Sequence, residues 1–293
     1  MEFVFSHGNL RLSMETKVPV SCLYKFLPEQ GGVLYAWFSS MHTRVDLMLC
    51  GRQGKEVLWQ VVVAVYNVLE RLEKIANYYD PGSELACLNC TAACAPQVVS
   101  DEFCDMLSFC LSCYDRTVGC FDVTVSSDAY VPGVTIRQVH LILSERTLFF
   151  DRTGVRINLS GFLKGYALER VRQVLGQHQI TDALVNIGNS SVLALGHAPQ
   201  SEGWRVGFKQ DRHGGTEVLL CDECLTTSGN DSPQHKHIMN PHTGQLVEGK
   251  RQVAVVTADG SSGEVLSTAL FVANSYQKAF MEKEFSPRLI IDL

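Results

Sequence analysis

The chain has 293 residues, 46% of them hydrophobic, a mean hydropathy of +0.04 and a formal net charge of −6. That is enough apolar material for a sizeable core in one large domain or two lobes. Lys and Arg are scattered rather than clustered, which argues against a nucleic-acid or anionic-membrane surface, and no apolar run is long enough to span a bilayer.

Residues 1–32 show no clear period and end in "PEQGG", so they read as an N-terminal extension or edge hairpin preceding a single domain over 33–293. The "PVSC" at Cys22 follows Arg11, Glu15 and Lys17, which no apolar leader core tolerates, so the chain reads as cytoplasmic. "VLYAWFSSMHTRVDLMLC" predicts two strands, and "EVLWQVVVAVYNVLERLEKIANYY" repeats apolar residues at helical spacing until Asp80-Pro81-Gly82 stops it. Ser100, followed by Asp101 and Glu102, predicts the N-cap of a second helix running to about Tyr114. A third helix is expected after Ser160 and a fourth over "SSGEVLSTALF", residues 261–271. Alternating segments such as "QVHLILSERTLFF", "DALVNIGNSSVLALG" and "RQVAVVTADG" read as strands. Strand runs adjoin strand runs, so the expectation is an α+β fold with a largely antiparallel sheet packed with helices.

Eleven cysteines in a chain of this length do not suggest a disulfide scaffold. Cys87, Cys90 and Cys94, with Cys221 and Cys224, would form a zinc site only if the two groups met in space. Buried reduced thiols acting as small hydrophobes are the simpler expectation.

Three segments carry candidate chemistry. In "INLSGFLKGYALERV" a strand meets a helix start, whose unpaired N–H groups suit an anion, and Lys164 stands in the first turn; a capped surface helix with a solvated lysine is the alternative. "LTTSGNDSPQHKHIMNPHTGQLV" holds His235, His237 and His242 at spacings that fit a single general base better than a histidine metal site. Glu264 and Thr268, one turn apart on one helix face, offer the oxygen chemistry that Mg²⁺ takes. A back-bonded threonine beside an exposed glutamate would explain the same pair.

The order of short motifs along the chain is more specific than any one of them. "MHT" at 41, "YDPGSELACLN" at 79, "GCFDVTV" at 119, "SGFLKGYA" at 160, "VNIG" at 185, "TSG" at 227, "HIMNPHTG" at 237 and "EVLSTAL" at 264 follow one another as in the ApbE-type flavin transferases. The chain resembles that family as a divergent member, and the resemblance implies its T-fold-like α+β architecture. It also implies transfer of the FMN half of FAD to a threonine hydroxyl of an acceptor protein, with Mg²⁺ assistance and release of AMP. On this resemblance Met41, Tyr79, Asn89, Cys120, Phe121, Asp122, Asn158, Lys164, His237 and Ile238 would contact FAD. Gly161, Glu264 and Thr268 would hold Mg²⁺, Lys164 would meet the phosphates, and His237 would accept the threonine proton. FAD and the acceptor are the implied partners, with no nucleic acid and no membrane. Asn158, Ser261, Glu264, Asn189, His42 and Asn240 depart from the family's usual residues. They pose the alternative of a non-catalytic, nucleotide-binding member; a cysteine-metal or redox-interaction protein is a third reading.

Overall fold

A computed structural model describes residues 18–28, 31–208, 217–230 and 238–293. In chain order the elements are β1 (Ser21–Leu27), β2 (Gly31–Ser40), β3 (Thr43–Gly51), α1 (Lys55–Ala76), α2 (Glu84–Thr91), β4 (Gln97–Val98), α3 (Asp101–Arg116), β5 (Val139–Ile142), β6 (Thr147–Phe150) and α4 (Leu163–Gln177). There follow β7 (Asp182–Ile187), β8 (Ser191–Leu195), β9 (Trp204–Gly207), β10 (Glu217–Leu220), β11 (Glu223–Asn230), β12 (Met239–Asn240), β13 (Gln245–Leu246), β14 (Arg251–Thr257), α5 (Gly260–Val272), α6 (Ser275–Phe285) and β15 (Leu289–Asp292). Two compact units share them: the first holds the described residues up to 70, those of 167–225 and 258–260, and the second holds those of 71–166, 226–257 and 261–293.

The first unit is built on a sheet in the order β1-β2-β3-β7-β8-β11. Four successive pairings within it are antiparallel: β1 on β2, β2 on β3, β3 on β7 and β7 on β8. Alternation places Leu34, Ala36 and Phe38 of β2 in the core, while β8 is buried throughout. On α1, Leu58, Val61, Val62, Val65 and Leu69 are fully buried, a stripe at helical spacing in which each side chain contributes about 1.5–3 kcal/mol.

In the second unit, the end of β11 continues the order β11-β14-β15, with β4-β6-β5 as a separate small sheet and β12-β13 as a short hairpin. α3 begins where expected: Ser100 Oγ accepts from the Phe103 N–H at 3.2 Å, and Glu84 accepts from the Ser100 N–H and hydroxyl at 2.7 Å each. α4 begins two residues later than expected, because Phe162 and Leu163 both donate to the Leu159 carbonyl at 2.9 Å and close a tight turn first. The sequence reading passed over two helices. α2 is capped by Ser83, and α6 by a reciprocal Asn274–Gln277 capping box; both are local signals. Together the units form an α+β fold of antiparallel sheets and helices.

The thiols only partly meet expectation. All eleven cysteines are free; six are buried and Cys22 and Cys221 are intermediate, but Cys87, Cys90 and Cys94 are exposed. No helix among the described residues is long and apolar enough to cross a membrane.

Candidate functional site

In the second unit, α5 lies hard against two strands. A Cβ on Gly263 would stand 2.7 Å from Thr257 Oγ1 and 2.8 Å from Thr226 Oγ1, closer than real Cβ contacts, so only glycine lets the helix seat there. This seating buries Glu264 to 3% exposure, which removes the reading of an exposed glutamate. Nor does Thr268 bond back along its own helix in the contacts observed. Its hydroxyl lies 2.9 Å from Ser228 Oγ, which lies 2.8 Å from Ser267 Oγ, and it is Ser267 that donates to the Glu264 carbonyl at 3.2 Å. Gly161 faces the same hydroxyl: a Cβ there would sit 4.0 Å from both Thr268 Oγ1 and Phe121 Cε2.

The loop after α3 supplies the next wall. Gly119 takes φ +74°, and a Cβ on it would approach Tyr114 Oη at 3.2 Å and His242 Cε1 at 3.3 Å. Cys120 is buried, its thiol pushed up to about 11 by that burial, with Sγ 3.5 Å from His242 Nε2. Gln277 Nε2 approaches the same ring nitrogen at 3.0 Å; an amide nitrogen only donates, so that nitrogen accepts. The Phe121 N–H donates to the buried Thr117 hydroxyl at 3.1 Å. Asp122, 6% exposed, accepts from the Thr124 N–H and hydroxyl at 2.7 and 2.6 Å, and from Tyr130 Oη at 2.9 Å. Tyr130 Oη is equally near the Pro241 carbonyl, and burial, then the charge of Asp122, pushes its phenol well up.

Asn89 is a structural clasp: its amide donates to the Ile157 carbonyl and accepts from the Ile157 N–H, both at 2.8 Å. Next in the chain, Asn158 donates its amide N–H to Ser126 Oγ at 3.2 Å and accepts from the Ser160 N–H at 2.9 Å. Lys164 is the second residue of α4 and intermediate in burial, Ile238 is buried, and Tyr79 is 70% exposed with its N–H on Asn77 Oδ1. His237 lies outside the described residues.

The first unit assembles two other motifs. Met41 and His42 form the β2–β3 turn with φ of +52° and +56°. β3 then pairs with β7, and Gly188, with φ +65°, packs so closely that a Cβ would fall 2.8 Å from Thr43 Oγ1. A cavity of about 710 Å³ in this unit, bordered among others by Arg52, Asp182 and His197, includes none of the predicted site residues.

Motifs distant in sequence are thus neighbours within each unit, and the pattern of the ApbE family matches residues 41–288. The chain belongs to the ApbE family. It is 25% identical over 267 residues to the FAD:protein FMN transferase of Treponema pallidum, covering 75% of this chain and 73% of that one. A Klebsiella pneumoniae protein of the same name is 28% identical over 149 residues, covering 46% and 45% of the two chains. Among solved structures, the flavin transferase ApbE from Vibrio cholerae superposes with a TM-score of 0.76 at 18% identity, covering 94% of both chains. The ApbE protein from Thermotoga maritima gives 0.74 at 20% identity, covering 89% of this chain and 94% of that one. These likenesses are of fold.

Within this ApbE chain the donor set about Thr268 suits a hard cation. The atoms placed there are hydroxyl oxygens, the buried Glu264 stands one turn earlier on the same helix, and the missing side chain of Gly161 leaves room at the threonine hydroxyl. Among the described residues no group of three His, Cys, Asp or Glu side chains converges, so a cation there would depend on hydroxyl and main-chain oxygens beside Glu264. Ser228, Tyr130 and Gln277 are neighbours of the predicted residues that sequence reasoning did not single out, whereas His242 was one of the three histidines it offered as a base. "TSG" was the available signal for Ser228.

Proposed function

We propose that this ApbE protein is an FAD:protein FMN transferase, with residues 33–293 acting as one transferase domain. It would transfer the FMN of FAD to a threonine hydroxyl of an acceptor protein and release AMP. The observation that carries this reading is the meeting at Thr268 of residues from separate family motifs, Gly161 beside it and Ser228 bonded to it, with Phe121 also beside Gly161. Family membership and the named relatives agree with it.

In this proposal Gly161, Glu264 and Thr268 hold Mg²⁺, which when bound neutralises pyrophosphate charge. Phosphoryl transfer depends mainly on such positioning and electrostatic stabilisation. Lys164 presents its amino group to the flavin nucleotide phosphates. Asp122, locked by Thr124 and Tyr130, together with Cys120 and Phe121, forms a rigid flavin-contacting loop. Asn89 and Asn158 fix the irregular segment that leads to Gly161; Met41, Tyr79 and Ile238 complete the FAD contacts, and His237 accepts the threonine proton as FMN is transferred. Eleven free thiols suit a reducing, cytoplasmic setting.

Incubation with FAD, Mg²⁺ and a threonine-containing acceptor should yield AMP and acid-stable flavin on the acceptor. Glu264→Gln should abolish the Mg²⁺-dependent release of AMP. FAD binding without any AMP would refute transferase activity, and full activity in Glu264→Gln would refute the metal assignment.

A further inference from the structure

The three exposed cysteines fall within one eight-residue stretch, Cys87, Cys90 and Cys94, all in or just after α2, whereas the other eight are buried or partly covered. The opposite side of α2 is anchored: Leu85 and Leu88 are buried, Ser83 caps its start, and Asn89 clasps Ile157. Cys87 and Cys90 therefore stand one turn apart toward solvent, and Asn89 lies between them in sequence.

Helix geometry puts their Cα atoms about 5 Å apart, inside the separation a disulfide accepts. Their Cβ atoms start about 5–6 Å apart, while a disulfide needs about 3.5–4.5 Å. Closing the bond must tighten the turn by an ångström or more, and the residue inside that turn is the one whose two 2.8 Å bonds hold Ile157. Cys94 is the weaker partner for Cys90, because it lies past the helix end, with its N–H on the Thr91 carbonyl at 2.9 Å. That pairing would leave Asn89 outside the closed ring.

We propose that Cys87 and Cys90 are a reversible dithiol–disulfide site that, when oxidised, loosens the Asn89–Ile157 clasp and weakens FAD binding. The oxidant is a low-molecular-weight disulfide of the glutathione type. One cysteine thiolate attacks it and expels one thiol; the second cysteine then attacks the mixed disulfide and expels the other. Two protein thiols lose two electrons and two protons, which the two released small thiols carry away. The effect on FAD rests on the proposed function, whereas the disulfide and the clasp do not.

The test equilibrates the full-length protein with oxidised and reduced glutathione, maps disulfides by mass spectrometry and follows hydrogen exchange at Ile157. The expected result is a Cys87–Cys90 bond with Cys94 still open to alkylation, exchange at Ile157 about tenfold faster, and a comparable loss of FAD affinity. Dithiothreitol should reverse all three, and Cys90→Ser should prevent them while the reduced variant binds FAD normally. No bond, a Cys90–Cys94 bond, or unchanged exchange at Ile157 in the bonded protein overturns the switch. Faster exchange with unchanged FAD affinity overturns its coupling to flavin. Failure of even the reduced protein to bind FAD would instead refute the functional reading, leaving the switch to be judged on Ile157 alone.

Discussion

Replacing Gly263 by alanine tests how α5 is seated. The added methyl would meet Thr257 Oγ1 at 2.7 Å, Thr226 Oγ1 at 2.8 Å and Thr226 Cγ2 at 3.1 Å. All three atoms belong to buried threonines, so either the helix retreats by about half an ångström or two side chains leave their rotamers. Overpacking of this kind costs about 1–3 kcal/mol, and three simultaneous contacts place it near the top of that range. Alanine returns about 1 kcal/mol of helix propensity, leaving a net loss of about 2 kcal/mol. In a chain of this size that is a fall in melting temperature of about 4–8 °C. Gly176, in α4, is the matched control, because a Cβ there meets nothing within 4 Å; Gly176→Ala should raise the melting temperature by about 1–3 °C. Thermal unfolding of the two variants beside the parent decides the matter. A Gly263→Ala protein as stable as Gly176→Ala would refute the close seating of α5 and, with it, the account of why Glu264 and Thr268 stand where they do.

Relief of the left-handed turn should stabilise the protein: His42→Gly removes a side chain held at positive φ and should gain about 1 kcal/mol in a thermal melt. A loss would show that the His42 side chain contributes more than its strain costs. Ser83 accepts from the Ala86 N–H at 3.0 Å and donates to the Asn77 carbonyl at 2.6 Å in a fully buried position. Ser83→Ala should therefore lower stability by about 2 kcal/mol, read as a shifted urea midpoint with unchanged slope. The Arg251 hydrogen bond foremost, then the Lys278 charge, hold the Asp292 carboxyl below its usual range. A depressed folded value gives stability that is present above the unfolded value, about pH 4, and is lost as pH falls through the folded one. Asp292→Asn should flatten that acid-side loss, although the effect is small because Asp292 is more than half exposed. Identical slopes of melting temperature against pH below about 4 would refute the pairing.

The legible parts of the fold were those written in local pattern. The apolar stripe from Leu58 to Leu69 specifies α1 without help from the rest of the chain, and Ser100 announces α3. α2 was passed over because it is only eight residues long and its cysteines carry no helical stripe. α6 was passed over because its exposed face lacks apolar periodicity, although Asn274 and Gln277 spelled its cap. At the candidate site, motif order named Gly161 and Thr268, which lie side by side in the fold, and Glu264, which is buried one turn before Thr268 on the same helix. Sequence could not supply the contacts made across long separations: Ser228 with Thr268, Tyr130 with Pro241, or His242 with Cys120. Each depends on how strands and loops return in space, which spacing along the chain does not encode.

The hydroxyls of Ser267, Ser228 and Thr268 have a direction. The chain ends on the Glu264 carbonyl, which can only accept, so the single proton of Ser267 is committed there. Ser267 must then receive from Ser228, and Ser228 in turn from Thr268. The proton of Thr268 is thereby spent inward, and what the threonine turns away from the helix packing is lone-pair density. The backbone carbonyl of Glu264, four residues before Thr268, thus polarises a neutral alcohol into a standing electron-pair donor, set before any ligand arrives.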